Sequence, residues 1–163
     1  MMFQQLLTTL QETPFAQAIA EGSYLFPWIE SVHILAVVTV VGSVSILDLR
    51  LIGVDAHVKS LRRLMRQVLP VTWVAFAVAV PSGFLMFASK AVKYSENWPF
   101  RIKMLLLIAA GLNTLVFHRF VHRGGEHWDE GPTPRAAKIA GYASISLWIG
   151  IVAFGRWIGF VVD

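Results

Sequence analysis

The sequence predicts an all-α integral membrane protein: a four-helix bundle preceded by an N-terminal amphipathic segment that lies in the membrane interface. Of the 163 residues, 56% are hydrophobic and only 15% are charged, whereas an average soluble domain is about 25% charged. The mean hydropathy is +0.61. Four apolar segments are each near or above the ~20 residues that a helix needs to cross a bilayer, and helices satisfy their own backbone in lipid.

The first element is an interfacial segment, residues 1–24. Its apolar residues follow the i, i+3, i+4, i+7 spacing of one helix face: Phe3, Leu6, Leu7 and Leu10. Thr13 and Pro14 have the order of a helix cap followed by a first-turn proline. We therefore expect residues 2–21 to be helical and to lie along the membrane surface.

The remainder, residues 25–163, forms the predicted bundle. Its four spans run over residues 25–52, 69–89, 100–120 and 137–162. The connecting loops carry turn residues or charges: residues 55–67, 90–99 and 121–136. The chain has no cysteine, which excludes disulfides, thiolate metal sites and iron–sulfur ligation.

The distribution of basic residues predicts the orientation. Nine of the fourteen Lys and Arg flank the first and third loops, and cytoplasmic loops are the ones rich in these residues. We therefore expect a multi-pass protein of a bacterial-type inner (plasma) membrane with both termini outside. Trp28, Trp98 and Trp157 then fall at the outer interface, as in an aromatic belt. The net charge of +4 is explained by these loops, and no nucleic-acid-binding motif accompanies it.

One outer layer of the bundle gathers unusual polar residues. Counted at 1.5 Å per residue, His33 lies roughly 10 Å below the outer end of the first span. The same depth in the other spans holds Met86, Lys103 and Arg156, with Trp157 beside them. Ionisable residues inside a membrane face the bundle interior, a cavity or a partner, and are functional candidates. We predict a cofactor site here, while the alternative is that the cations extend to the headgroups and the histidine only bonds a neighbouring helix.

The inner end offers a second candidate. His118 and His122 are spaced i, i+4 on one helix face, which is a metal-binding spacing. Arg119 and Arg123 lie between and beside them, which disfavours a cation and favours a basic membrane edge near lipid phosphates. His118 lies deeper and stays, with His33, a candidate metal ligand.

Asp48 lies near the inner end of the first span. Arg50 is about 160° away around the helix, so the two residues do not pair. We expect Asp48 to meet Arg63, Arg66 or Asn113 instead, as a structural ion pair or hydrogen bond.

Two segments resemble a known family. The first span, WIESVHILAVVTVVGSVSILDLRLIG, resembles the first helix of the HemJ-type protoporphyrinogen oxidases and, more loosely, the copper-resistance D (CopD) membrane domains. The shared pattern runs from an aromatic residue through a histidine to a glycine and a Leu-Arg pair: Trp28, His33, Val37 to Thr39, Gly42 and Leu49-Arg50. The segment PFRIKMLLLIAAGLN resembles the lysine-bearing helix of that family, with Lys103 in the matching place. The resemblance implies b-type haem, with His33 as an axial ligand and Lys103 as an essential partner.

The favoured hypothesis is a small membrane cytochrome that transfers electrons, with haem b near the outer side of a bundle that holds it from facing helices. Met86, Lys103 or a histidine is then the second axial ligand, and Lys103 and Arg156 pair with the haem propionates. The alternatives are a HemJ-like porphyrinogen or quinol oxidase, a CopD-like copper transporter, and a cofactor-free subunit of a larger complex. The expected partners are the lipid bilayer and a quinone or redox protein; the sequence leaves the oligomeric state open.

Overall fold

The computed structural model describes residues 2–54, 60–121 and 133–161. In keeping with the predicted all-α class, these residues form helices and no strand. The seven α-helices are α1 (Met2–Gln11), α2 (Pro14–Glu21), α3 (Leu25–Ile52), α4 (Leu61–Ser89), α5 (Ala91–Glu96), α6 (Trp98–Val116) and α7 (Arg135–Val161). A π-helical turn, Phe117–Val121, continues α6. Within the described part of the chain, α3, α4, α6 with the start of this turn, and α7 are long and apolar enough to cross a membrane. The chain is thus an all-α, multi-pass membrane protein.

The helix boundaries differ from the prediction in two places. α3 has the predicted bounds, but α4 begins at Leu61, well before the predicted span 69–89, because Ser60 caps it by accepting a hydrogen bond from the Arg63 N–H at 3.4 Å. The predicted loop 90–99 contains the short helix α5. Its Ala91 is fully buried. Hydropathy alone does not predict the start of α4 or the helix α5, because neither segment is apolar enough to lie in lipid.

The N-terminal segment forms two helices. Pro14 begins α2 after Thr13, whose hydroxyl donates to the Leu10 carbonyl at 2.6 Å. α1 packs against α4 and α5, and α2 packs against α3 and α4. The end of the bundle that these short helices cover is called the outer end below, in keeping with the predicted orientation.

α3 and α4 form an antiparallel hairpin whose buried and half-buried residues are spaced alternately three and four apart. On α3 this row is His33, Ala36, Val40, Ser43, Leu47 and Arg50, and on α4 it is Leu61, Met65, Val68, Thr72, Ala75, Ala79, Ser82, Met86 and Ser89. This seven-residue repeat is typical of a left-handed helix pair. Small residues let the two backbones approach closely, and Thr72 donates to the Ser43 hydroxyl at 2.8 Å in the middle of the pair.

α6 and α7 form a second antiparallel hairpin with the same spacing. Its rows are Pro99, Lys103, Leu106, Ala110, Asn113 and Phe117 on α6, and Ala137, Gly141, Ser144, Trp148, Ile151, Gly155 and Ile158 on α7. The amide of Asn113 donates to the Ala140 carbonyl at 3.1 Å. The rings of Trp98 and Trp157 lie 6.1 Å apart at the outer end.

The two hairpins pack through α3 and α7. The approach is closest at Gly141, where an added Cβ would lie 3.0 Å from Ile52 Cγ2 and 3.2 Å from the Asp48 carbonyl oxygen. Among the described residues, α4 and α6 make no close backbone contact, but the rings of Phe87 and Phe100 stack at 5.4 Å. The spanning helices therefore follow the order α4–α3–α7–α6 around the bundle, and side chains at the outer end bridge the α4–α6 edge.

Candidate functional site

His33 is anchored to α4 through one ring nitrogen. It occupies a core position of the first hairpin and is half buried. Its Nδ1 lies 3.0 Å from the Ala79 carbonyl oxygen and 3.1 Å from the Ser82 hydroxyl. The anchoring residues therefore belong to the neighbouring helix and not to the turn of α3 that carries the ring.

These contacts determine the tautomer of His33. The Ser82 hydroxyl donates its hydrogen to a helix carbonyl, with Val78 the nearer at 2.7 Å. It is therefore an acceptor toward His33, and the Ala79 carbonyl can only accept. In the neutral imidazole the hydrogen therefore lies on Nδ1, an assignment inferred from the hydrogen-bond network, and Nε2 has the lone pair. Within the described part of the chain, no hydrogen bond reaches Nε2.

Gly83 makes room for the imidazole. A Cβ at this position would lie 2.9 Å from His33 Cε1 and 3.4 Å from Nδ1. Real Cβ atoms essentially never come that close to another heavy atom, so any larger residue would displace the ring. The site therefore depends on a glycine at residue 83.

Lys103 approaches His33 from the other hairpin. It occupies a core position of α6 and crosses Gly155, where an added Cβ would lie 3.5 Å from Nζ and 3.6 Å from Cε. Its ammonium is close enough to His33 to interact with the ring electrostatically. α3 and α6 make no close backbone contact within the described ranges. The two side chains therefore approach each other from helices that do not pack together.

Lys103 brings a positive charge to the site without a described counterion. No acidic residue of the described ranges interacts with the Lys103 ammonium. An ammonium in a membrane span is costly unless it has a partner or water. The site therefore offers one imidazole lone pair and one ammonium. This combination suits a ligand that accepts the imidazole lone pair at one point and presents an anionic oxygen to the ammonium at another.

The other predicted members of the outer layer are placed differently. Met86 is half buried and lies one helical turn from Ser82 on the same row of α4. Arg156 is exposed, and its guanidinium lies 5.3 Å from the centre of the Phe160 ring. Trp157 is 53% exposed and packs near Trp98. No contact among the described residues joins Arg156 or Trp157 to His33, and Arg156 has the surface placement of a cation that reaches for the headgroups.

His118 does not join His33. Its Nδ1 lies 3.0 Å from the Thr114 carbonyl of its own helix, and it is exposed. Along α6 it is fifteen residues from Lys103, or roughly 22 Å at helical rise. His122 lies outside the described residues, and those residues contain no group of three or more His, Cys, Asp or Glu able to hold a metal ion.

No hydrogen bond or ion pair joins Asp48 to its predicted partners Arg63, Arg66 or Asn113: the two arginines are exposed, and the Asn113 amide donates to the Ala140 carbonyl. The side chain beside its carboxyl is instead Ser144 of α7. Asp48 lies on the side of α3 that faces α7, and the sequence pattern does not say which neighbour covers which face.

Ser82 and Gly83 follow Pro81 at the depth of His33, where a proline and a residue without a side chain predict room between helices, and the His33 ring does lie against Gly83. Sequence analysis missed Gly155. The seven-residue spacing would have found it, since it puts this small residue of α7 opposite Lys103. In a hairpin core, a polar residue that faces small residues is a signal for a site.

Comparison with known families gives one finding. The model of a family of unknown function, DUF6644, matches residues 11–161. The match extends from the end of α1 through α7 and contains every candidate residue described above. No curated protein and no solved structure matches the chain.

Proposed function

The chain belongs to the DUF6644 family, and we propose that it is a membrane b-type haem-binding redox protein that transfers electrons, with His33 as an axial ligand. The observation that carries this proposal is the anchoring of His33 Nδ1 by the Ala79 carbonyl and Ser82. Metal-ligating histidines typically donate their other ring N–H to a backbone carbonyl, a carboxylate or water, which orients the ring and fixes the tautomer. The arrangement leaves Nε2 as the ligand nitrogen.

The donor chemistry of the site fits haem b. A neutral imidazole supplies one axial nitrogen, and the half-buried thioether of Met86 lies one turn further along α4. His–Met ligation occurs in cytochromes and raises the reduction potential. We therefore propose Met86 as the second ligand. Haem supplies one-electron transfer when bound; the chain orients it, excludes water and sets its potential.

Lys103 has a charge role in this proposal. Its ammonium, which has no described counterion, binds a propionate through a charge-assisted hydrogen bond. Arg156 lies against Phe160 at the surface, and we propose that it contacts the lipid headgroups and not the haem. The apolar groove of about 390 Å³ between α3 and α7 contains neither His33 nor Lys103. The α4–α6 edge is thus the side on which we propose that the ligand lies.

The proposed setting is a bacterial-type inner membrane with both termini outside, as the basic loops indicate. His33 then lies near the outer surface, where a quinone in the bilayer or a redox protein outside it can exchange electrons. The test is the absorption spectrum of protein purified in detergent from haem-replete cells. A Soret band with stoichiometric haem is expected, and a haem-free preparation would contradict the proposal.

A HemJ-like oxidase is the second candidate, and it is supported by the histidine and lysine that the resemblance names, whose ring and ammonium lie within electrostatic range of each other. Rescue of a strain that lacks protoporphyrinogen oxidase would favour it, whereas a haem spectrum without rescue favours electron transfer alone. A CopD-like copper transporter would accumulate copper on expression in a His33-dependent manner. If the protein is a cofactor-free subunit of a larger complex, the His33→Leu variant should still assemble into that complex.

A further inference from the structure

A buried carboxyl group lies far from the candidate site, where the two hairpins meet. Asp48 is 5% exposed, and its partner Ser144 on α7 is 6% exposed. One carboxyl oxygen, Oδ2, is buried and has no hydrogen-bond partner. One turn away on α7, Gly141 brings the backbones of α3 and α7 together.

None of the described charged groups near this end of the bundle neutralises Asp48. Arg50 lies about 160° away around α3, and Lys138 of α7 lies beside Gly53 at the end of α3. The other described cations of this end are exposed: Arg62, Arg63 and Arg66 on α4, His118 and Arg119 beyond α6, and Arg135 on α7. The polar side chain beside the Asp48 carboxyl, among the described residues, is Ser144.

An ionised carboxylate in this position would be very unfavourable. Burying an unpaired charge costs far more than burying a neutral polar group, and acids within membrane spans are expected to have a partner. The Oδ2 atom is closed off from solvent, which leaves no room for a metal ion or a water molecule. A proton is the ligand that neutralises the group without added volume.

We propose that Asp48 is a proton-binding site, and that its bound proton keeps the two hairpins joined. The neutral carboxyl pairs with Ser144 across the α3–α7 interface, which is the helix contact that joins the hairpins within the described ranges. Release of the proton puts a charge into this interface, and the helices part until water or a cation reaches it. The site is a pH-sensitive latch at the inner end, and it does not depend on haem.

The state of the carboxyl can be measured directly by infrared spectroscopy. Protein labelled with ¹³C at its aspartate carboxyls should show, at pH 5, an isotope-shifted C=O stretching band of a protonated acid that is lost as the pH is raised. The band should vanish in Asp48→Asn and persist in Asp55→Asn, a change to one of the other three aspartates. Absence of the band from the unsubstituted, labelled protein overturns the proposal, whether or not Asp48→Asn folds.

The latch can be measured by distance. The chain has no cysteine, so spin labels can be placed at Leu49→Cys on α3 and Tyr142→Cys on α7, both exposed positions. The distance should lengthen as the pH rises in the otherwise unsubstituted protein. It should stay constant in an Asp48→Asn background, since asparagine stays neutral. A pH-independent distance in both backgrounds, or the same change in both, contradicts the latch.

Discussion

The Nδ1 atom of His33 lies 3.0 Å from the carbonyl oxygen of Ala79, and the two residues are 46 positions apart in the chain. A helix carbonyl cannot donate, so in the neutral imidazole this contact places the hydrogen on Nδ1 and leaves Nε2 with its lone pair. Ser82 supports the same assignment. The first hairpin therefore holds a histidine ready to bind a metal or accept a hydrogen bond, although it lies in a membrane span.

The space at Gly83 gives the first prediction. Gly83→Ala would place a Cβ 2.9 Å from His33 Cε1 and displace the ring, at a cost of about 1–3 kcal/mol for overpacking. We expect loss of most bound haem and a lower thermal midpoint in detergent. Gly42→Ala on α3 is the matched control, since nothing lies within 4 Å of its Cβ position. Equal haem occupancy in the two variants would count against the role of Gly83.

The second acceptor of Nδ1 gives another prediction. Ser82→Ala removes one acceptor and leaves the Ala79 carbonyl, so haem should remain bound with a shifted reduction potential. Loss of an outer-shell partner typically weakens metal binding by about 10–100-fold, and the remaining acceptor should keep the loss near the lower limit. Ser43→Ala, another buried serine of this hairpin, should leave the potential unchanged. Identical potentials in both variants would show that Ser82 only packs.

The charge of Lys103 can be separated from its volume. Lys103→Met keeps an unbranched side chain against Gly155 but removes the ammonium. A hydrogen bond to a charged group contributes about 1.5–3 kcal/mol, so affinity for haem should fall roughly ten- to hundredfold. Haem esterified at its propionates should bind the original and substituted proteins equally. Lys93→Met, at an exposed lysine of α5, is the control. If Lys103→Met still binds free-acid haem more tightly than esterified haem, and by the same factor as the original protein, Lys103 does not pair with a propionate.

Tyr94 in α5 should report on the packing of the outer end. Burial, and then the negative charge of Glu30, raise the pKa of Tyr94 above its ordinary value of 10.0. The fold thus favours the protonated phenol. The contribution of Tyr94 to the free energy of unfolding is full below pH ~10 and is lost as the pH rises through the pKa of Tyr94 in the folded protein. Glu30→Gln should lower this pKa in an ultraviolet titration, but only in part, because burial is the larger cause. The exposed residues Tyr24 and Tyr142 serve as references, and an unchanged titration would exclude a Glu30 contribution.

The bundle itself could be predicted from sequence because lipid imposes a strong constraint. Each apolar run had to be a helix, and the bounds of α3 follow from hydropathy and from Gly53, whose φ of 109° ends the helix. Segments outside the lipid have no such constraint. α5 forms because Ala91 is buried and the Val92 N–H bonds to Gln11 at 3.2 Å, and only the fold brings these residues together.

The site was predictable in part. Depth counting grouped His33 with Lys103, and the Lys103 ammonium lies within electrostatic range of the imidazole. The same counting could not orient side chains around a helix, so Arg156 was grouped with them although it faces outward against Phe160. The partner of Asp48 was missed for the same reason. Depth is set by the bilayer, whereas the direction of a side chain is set by the order of helices around the bundle.

The most direct test of the central claim is the absorption spectrum of the purified protein beside two histidine variants. His33→Ala removes the proposed ligand, and His118→Ala removes a histidine roughly 22 Å further along the bundle. We predict a Soret band in the original protein and in His118→Ala, and its loss in His33→Ala, with the same helix content by circular dichroism in all three. An equally strong and unshifted band in folded His33→Ala would contradict axial ligation by His33.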